Sequence, residues 1–126
     1  MLQRRKSVFN INTALLETTG SAGVPADNTD LFSIIIPDYS EVQIYSMRAH
    51  VRAAGGASSK IELVDSANAI LASVAVDATG VVEASQAPVT YTNNSSSVTY
   101  LKLRVDGSLD ATTSFTIEVE HDDFSR

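Results

Sequence analysis

Apolar and polar residues alternate with a period of two along most of this 126-residue chain, and almost no segment carries a helical period. That pattern constrains the fold more than any single residue, because successive side chains of a strand point to opposite faces of a sheet. Phe9, Ile11, Thr13 and Leu15 share one parity of a first strand. Leu101, Leu103 and Val105 alternate with Lys102 and Arg104. Thr113, Phe115, Ile117 and Val119 alternate with Thr116, Glu118 and Glu120. Leu31 to Ile36 is nearly continuous in apolar residues and predicts a short strand covered on both faces.

Glu41 to Ala54 is the longest strand pattern, and its phase changes midway. Val42 and Ile44 hold one parity; Tyr45, Met47, Ala49, Val51 and Ala53 hold the other. One added residue flips every later side chain, so the pattern predicts a bulge or bend near Ile44–Ser46. Turn residues punctuate the rest. Pro37 to Ser40, Gly55 to Ser59, Asp65 to Asn68, Asp77 to Gly80, Asn93 to Ser97 and Asp106 to Ala111 separate the strand patterns. Asp65 to Asn68 joins Lys60–Val64 to Ala69–Val76 as a hairpin with an Asx turn, and Val81 to Thr92 is a strand pair or one strand broken at Pro88. The stretch from Thr18 to Asp30 reads as a long loop. The sum is eight or nine strands in an antiparallel, jelly-roll-like β-sandwich. Residues 1–6 are expected to form a basic arm and residues 7–126 a single domain.

Composition supports a scaffold with little reactive chemistry. The chain has 16 Ser and 11 Thr but no Cys and no Trp. Disulfides, thiolate metal sites and Cys nucleophiles are therefore excluded. The net charge is −6, with Arg4, Arg5 and Lys6 contributing +3 and the remainder −9. That balance argues against nucleic acid. An arm opposite in charge to its body suits docking on an identical neighbour or another acidic surface. No apolar run approaches the ~20 residues of a membrane span, or the ~7–15 of a signal peptide core. Arg4-Arg5 followed by Phe9 echoes a twin-arginine signal faintly; a basic arm before a first strand is the simpler reading. The expected location is the cytoplasm, or a particle assembled there.

Arg48, His50 and Arg52 occupy alternate positions of one strand and form a basic ladder on one sheet face. Such a ladder can grip an acidic partner. The simpler reading is a solvated face neutralised by Glu118 and Glu120, with Lys102 and Arg104 in the preceding strand. The groups Asp27, Asp30, Asp38 and Asp106, Asp110 lack the spacing of a calcium loop. His121-Asp122-Asp123 cannot all converge on one ion from a single strand. No metal and no cofactor are expected. A Ser–His–Asp set would need His50 or His121 as base, and 16 serines make a chance Ser–His neighbour unremarkable. No Gly-x-Ser-x-Gly elbow or phosphate-cradling loop is present, and the chain is not expected to be an enzyme. Asn93-Asn94-Ser95-Ser96 holds two overlapping glycosylation sequons, read as loop composition.

The hairpin Lys60 to Ala72 and the paired segments Tyr100 to Gly107 and Ser114 to Glu120 resemble small β-sandwich virion proteins of tailed phages: capsid decoration (cement), head fibre and turret domains. The resemblance implies a structural virion protein that binds and stabilises the capsid surface. It further implies a homo-oligomer, often a trimer, that partners a major capsid protein and is assembled in the host cytoplasm. The competing expectation is a carbohydrate-binding module on the same fold. Such modules present aromatic platforms to sugar rings, and Tyr39 (in a turn) and Tyr91 (near a loop tip) are the candidates.

Overall fold

A computed structural model describes residues 4–13, 17–18, 21–22 and 24–122. Among them there is no α-helix, and the strands are β1 (Arg4–Asn12), β2 (Glu17–Thr18), β3 (Ser21–Ala22), β4 (Asp30–Ile36), β5 (Ser40–Ala53), β6 (Lys60–Val64), β7 (Ile70–Ala75), β8 (Gly80–Glu83), β9 (Val89–Asn93), β10 (Thr99–Asp106) and β11 (Ser114–Asp122). Among the described residues β2 and β3 pair only with each other. Apart from Glu17, this short ladder lies inside the stretch expected to be a loop.

The other nine strands form two antiparallel sheets. The first has the order β1-β11-β5, with β8 and β9 both on the far edge of β5. β9 pairs with Ser40–Ile44 and β8 with Arg48–Val51, so the two lie in line as one strand interrupted before Val89. The second sheet has the order β4-β10-β6-β7. With β8 and β9 counted as one position, the first strand pairs the last and the second pairs the next to last. That is the jelly-roll order of a long hairpin folded into two layers.

The core lies between the sheets and is built from one parity of each strand. Phe115, Ile117 and Val119 of β11 face Leu101, Leu103 and Val105 of β10, all essentially inaccessible to water. Ile44, Met47, Ala49 and Ile61 fill the space beside them. Phe9 and Phe32 close the edge between β1 and β4, with ring centroids 4.9 Å apart. Thr113 and Thr13 are buried too, and the Thr13 hydroxyl donates to the Asp110 carbonyl at 2.6 Å. Leu15 lies outside the described residues.

The phase change in β5 is a bulge. Glu120 pairs with Ser46 and His121 with Ile44, so Tyr45 is the extra residue. Before it Val42 and Ile44 are buried; after it Met47, Ala49 and Val51 are. The Asx turn is also present, with Asp65 Oδ1 accepting from the N–H groups of Ala67 and Ala69, each at 2.9 Å.

Two expectations need correction. β4 is not covered on both faces: Ser33 is exposed and Ile35 is 57% exposed, because β4 is an edge strand and no third layer covers its outer face. The boundary between arm and domain also moves. Arg4, Arg5 and Lys6 are the first residues of β1, opposite Asp122, His121 and Glu120. Alternation is weak there in sequence because an edge strand near its end buries neither parity. Met1–Gln3 lie outside the described residues.

Candidate interaction surfaces

The outer face of the first sheet carries the predicted basic residues, and carboxylates and hydroxyls answer most of them. Arg4 Nη1 lies 3.0 Å from Glu120 Oε1, and Lys6 Nζ lies 3.6 Å from Glu118 Oε2. His50 Nε2 lies 3.5 Å from the other oxygen of Glu118. Arg48 pairs with Glu83 on β8. Arg52 donates to the hydroxyls of Ser114 (3.0 Å) and Thr116 (2.7 Å). The ladder of Arg48, His50 and Arg52 exists as spaced, but Arg48 and His50 each lie beside a carboxylate and Arg52 is held by hydroxyls. Lys102 and Arg104 belong to the other sheet, where they pair with Asp30 and Glu62.

The end of β1 is tied down around the bulge. The guanidinium carbon of Arg4 lies 4.0 Å from the centre of the Tyr45 ring. The Tyr45 hydroxyl donates to Asp122 Oδ1 at 2.6 Å, and the Gln43 N–H donates to Asp122 Oδ2 at 2.9 Å. The bond to Asp122 favours the neutral phenol and raises the Tyr45 pKa above 10.0; desolvation and the Asp122 charge add to this, and Arg4 opposes it. Sequence reasoning placed Arg4 in an arm and Tyr45 on the apolar parity. The bulge was the available signal that Tyr45 turns aside.

Beside this cluster, Ser7 Oγ lies 2.7 Å from Nε2 of buried His121, whose Nδ1 lies 2.7 Å from the Asp122 carbonyl oxygen. The spacing is that of a hydroxyl and its base, on an imidazole only 2% exposed. Among the described residues, no group of three or more His, Asp or Glu is placed to hold a metal ion. Asp27 instead accepts from the Gly107 N–H, and Asp30 pairs with Lys102. Asp123 lies outside the described residues.

The second sheet differs. On its outer face Ile35 stands opposite Tyr100, and Lys102 opposite Val64, which in turn faces Ile70. Ile35, Ile70, Val98 and Tyr100 are each about half exposed. Ser33, Ser66, Tyr100 and Lys102 line a shallow depression of about 260 Å³ there. Just past Ile36, which pairs with Thr99 at the start of β10, begins the β4–β5 turn. Its Tyr39 is 71% exposed and holds a left-handed backbone, φ 47°. That conformation costs a non-glycine residue about 1–2 kcal/mol. It is held from the neighbouring loop: the Tyr39 N–H donates to the Ser95 carbonyl, and the buried Asn93 amide donates to the carbonyls of Pro37 and Ser97. Of the two predicted sugar platforms, Tyr39 is open to solvent and Tyr91 packs against the core. Tyr91 pairs with Val42 on the inner parity, which the nearby loop tip obscured in sequence.

Sequence reasoning missed this apolar face. Part of its signal was available: Ile35 stands on the polar parity of β4, and Tyr100 and Val98 share the parity of Lys102, whereas Ile70 shares the parity of buried Ala72 and Val74 and turns outward through the register shift at Leu63/Val64. Compared with protein-family models, curated proteins and solved structures, the chain has no match.

Proposed function

We propose that this chain is a structural protein of a virus particle, a β-sandwich that self-associates and stabilises a capsid by docking on its surface without catalysis. The observation that carries the reading is the outer face of the second sheet. Ile35 and Tyr100, a cross-strand pair, and Ile70 are each about half exposed on it, and Val98 and Tyr39 are exposed in the loop and turn at its strand ends, on a molecule whose opposite face carries paired charges. Exposed apolar surface with aromatic residues marks protein contact. A backbone held in a strained conformation under an exposed aromatic supports a binding role for that turn. Removal of the Tyr100 ring and introduction of charge, Tyr100→Asp, is expected to abolish co-sedimentation with purified capsids while the melting temperature changes little. Undiminished co-sedimentation of Tyr100→Asp refutes this docking face; wild-type protein that stays in the supernatant refutes the capsid reading.

The depression beside Tyr100 favours a second reading, a carbohydrate-binding module. The ring offers an apolar platform, and the hydroxyls of Ser33 and Ser66 and the Lys102 ammonium offer hydrogen bonds at its rim. A glycan-array signal lost in Tyr100→Ala or Tyr39→Ala supports it; an array without signal removes it.

A further inference from the structure

We propose that the depression beside Tyr100 takes one neutral pyranose ring and discriminates against sugars that carry a carboxylate. The inference rests on the second reading above, a carbohydrate site in that depression, and it names the class of sugar.

Three elements build the depression. Ser33 of β4 stands opposite Lys102 of β10, one pair along from Ile35 and Tyr100. Ser66 comes from the β6–β7 turn, which Asp65 Oδ1 fixes by accepting from the N–H groups of Ala67 and Ala69. The hydroxyls that line it differ from others in the fold. Those of Ser59, Ser95 and Ser114 are taken up by hydrogen bonds within the chain. Those of Ser33, Ser66 and Tyr100 have no protein partner among the described residues. A hydroxyl both donates and accepts, so each can meet a sugar hydroxyl in either direction. The Tyr100 ring is about half exposed and offers the apolar surface against which the C–H face of a pyranose packs. The volume of about 260 Å³ falls just below the ~300–1,000 Å³ of sites for drug-sized ligands, which suits a single ring.

Charge selects the class of ring. Lys102 Nζ lies 3.4 Å from Asp30 Oδ2, so the ammonium at the rim is already compensated. Asp65, the chain neighbour of Ser66, has no cationic partner among the described residues. An acidic sugar would surrender its hydration for a cation that is already answered, and would approach a second carboxylate. A neutral ring gives up no ionic hydration. It can still accept from a Lys102 N–H that Asp30 leaves free, because an ammonium carries three donors.

Nuclear magnetic resonance titration of the full ¹⁵N-labelled chain tests this. The probes are the methyl glycosides of glucose, galactose, mannose and N-acetylglucosamine, with the methyl glycoside of glucuronic acid as the acidic counterpart. At least one neutral glycoside is expected to shift the amide resonances of Ser33, Ser66 and Tyr100. Its affinity should not change between low and high salt, because no ionic contact holds it. The glucuronide should bind about tenfold more weakly. Ser33→Ala combined with Ser66→Ala should weaken the neutral glycoside about tenfold, the loss of two ordinary hydrogen bonds. Tyr100→Ala should abolish its binding. Asp30→Asn uncovers the Lys102 ammonium and should strengthen binding of the glucuronide alone. Binding confined to the glucuronide, or binding that weakens with salt, overturns the proposed class and leaves a carbohydrate site standing. A neutral glycoside that binds the Ser33→Ala, Ser66→Ala and Tyr100→Ala variants undiminished overturns the site. No shift with any of these glycosides overturns the inference, and a silent glycan array overturns the carbohydrate reading with it.

Discussion

Arg104 and Glu62 form an ion pair on the outer face of the second sheet that is nevertheless out of water. Arg104 Nη2 lies 3.1 Å from Glu62 Oε1, and the two side chains are only 16% and 9% exposed. Arg104 Nε is buried and has no hydrogen-bond partner among the described residues. Removal of the cation leaves a desolvated carboxylate without its counter-charge. Arg104→Met is therefore expected to cost about 3 kcal/mol. For a domain of this length that lowers the melting temperature by about 10 °C. The paired replacement, Glu62→Met with Arg104→Met, removes both desolvation penalties and the unsatisfied Nε together. It is expected to fall within about 1 kcal/mol of wild type. Urea denaturation of the wild type, both single variants and the double variant closes the cycle, with unchanged slopes confirming a common two-state transition. If Arg104→Met costs only the ~0–1 kcal/mol of a surface pair, the pair is solvated and the reasoning fails.

Further outcomes follow from other sites. Phe115→Ala empties a fully buried site between the sheets and is expected to cost about 3–5 kcal/mol in the same assay. Gly107 holds φ 96°, and a Cβ there would stand 3.2 Å from the Ser59 Cα; Gly107→Ala should destabilise by more than about 1 kcal/mol. Tyr39→Asn places a residue tolerant of the left-handed region at φ 47° and is expected to stabilise by about 0.5–1 kcal/mol. Tyr45 should ionise at higher pH than a free phenol when tyrosinate absorbance is followed, and Asp122→Asn should bring it down. Because its folded pKa is raised, its contribution to stability is complete below pH 10 and is lost as pH rises through the folded value. Deletion of Met1–Lys6 removes the Arg4 and Lys6 ion pairs and the Arg4–Tyr45 contact, so stability and self-association should fall together.

The inner parity of the sandwich was legible because burial is what alternation encodes. Leu101–Val105 and Thr113–Val119 face inward as read, the Asp65 turn closes with the bonds its side chain offers, and the phase slip in β5 is a bulge at Tyr45. The edges were less legible. Periodicity does not say which strand lies outermost, so Leu31–Ile36 read as doubly covered although Ile35 faces water. It also does not say which polar residues become neighbours. The ladder of Arg48, His50 and Arg52 was correctly spaced, but its partners, the Glu83 carboxylate and the Ser114 and Thr116 hydroxyls, are fixed by sheet order, which a single sequence does not encode. The exposed apolar residues come from three strands, one turn and the β9–β10 loop, and those of the strands meet only when β4, β10, β6 and β7 are placed side by side.

Sedimentation equilibrium of the wild-type chain over a wide concentration range tests the central claim most directly. An assembly protein is expected to show a mass that is a multiple of 13.4 kDa, falling toward that value only on dilution. A constant 13.4 kDa at all concentrations would contradict it.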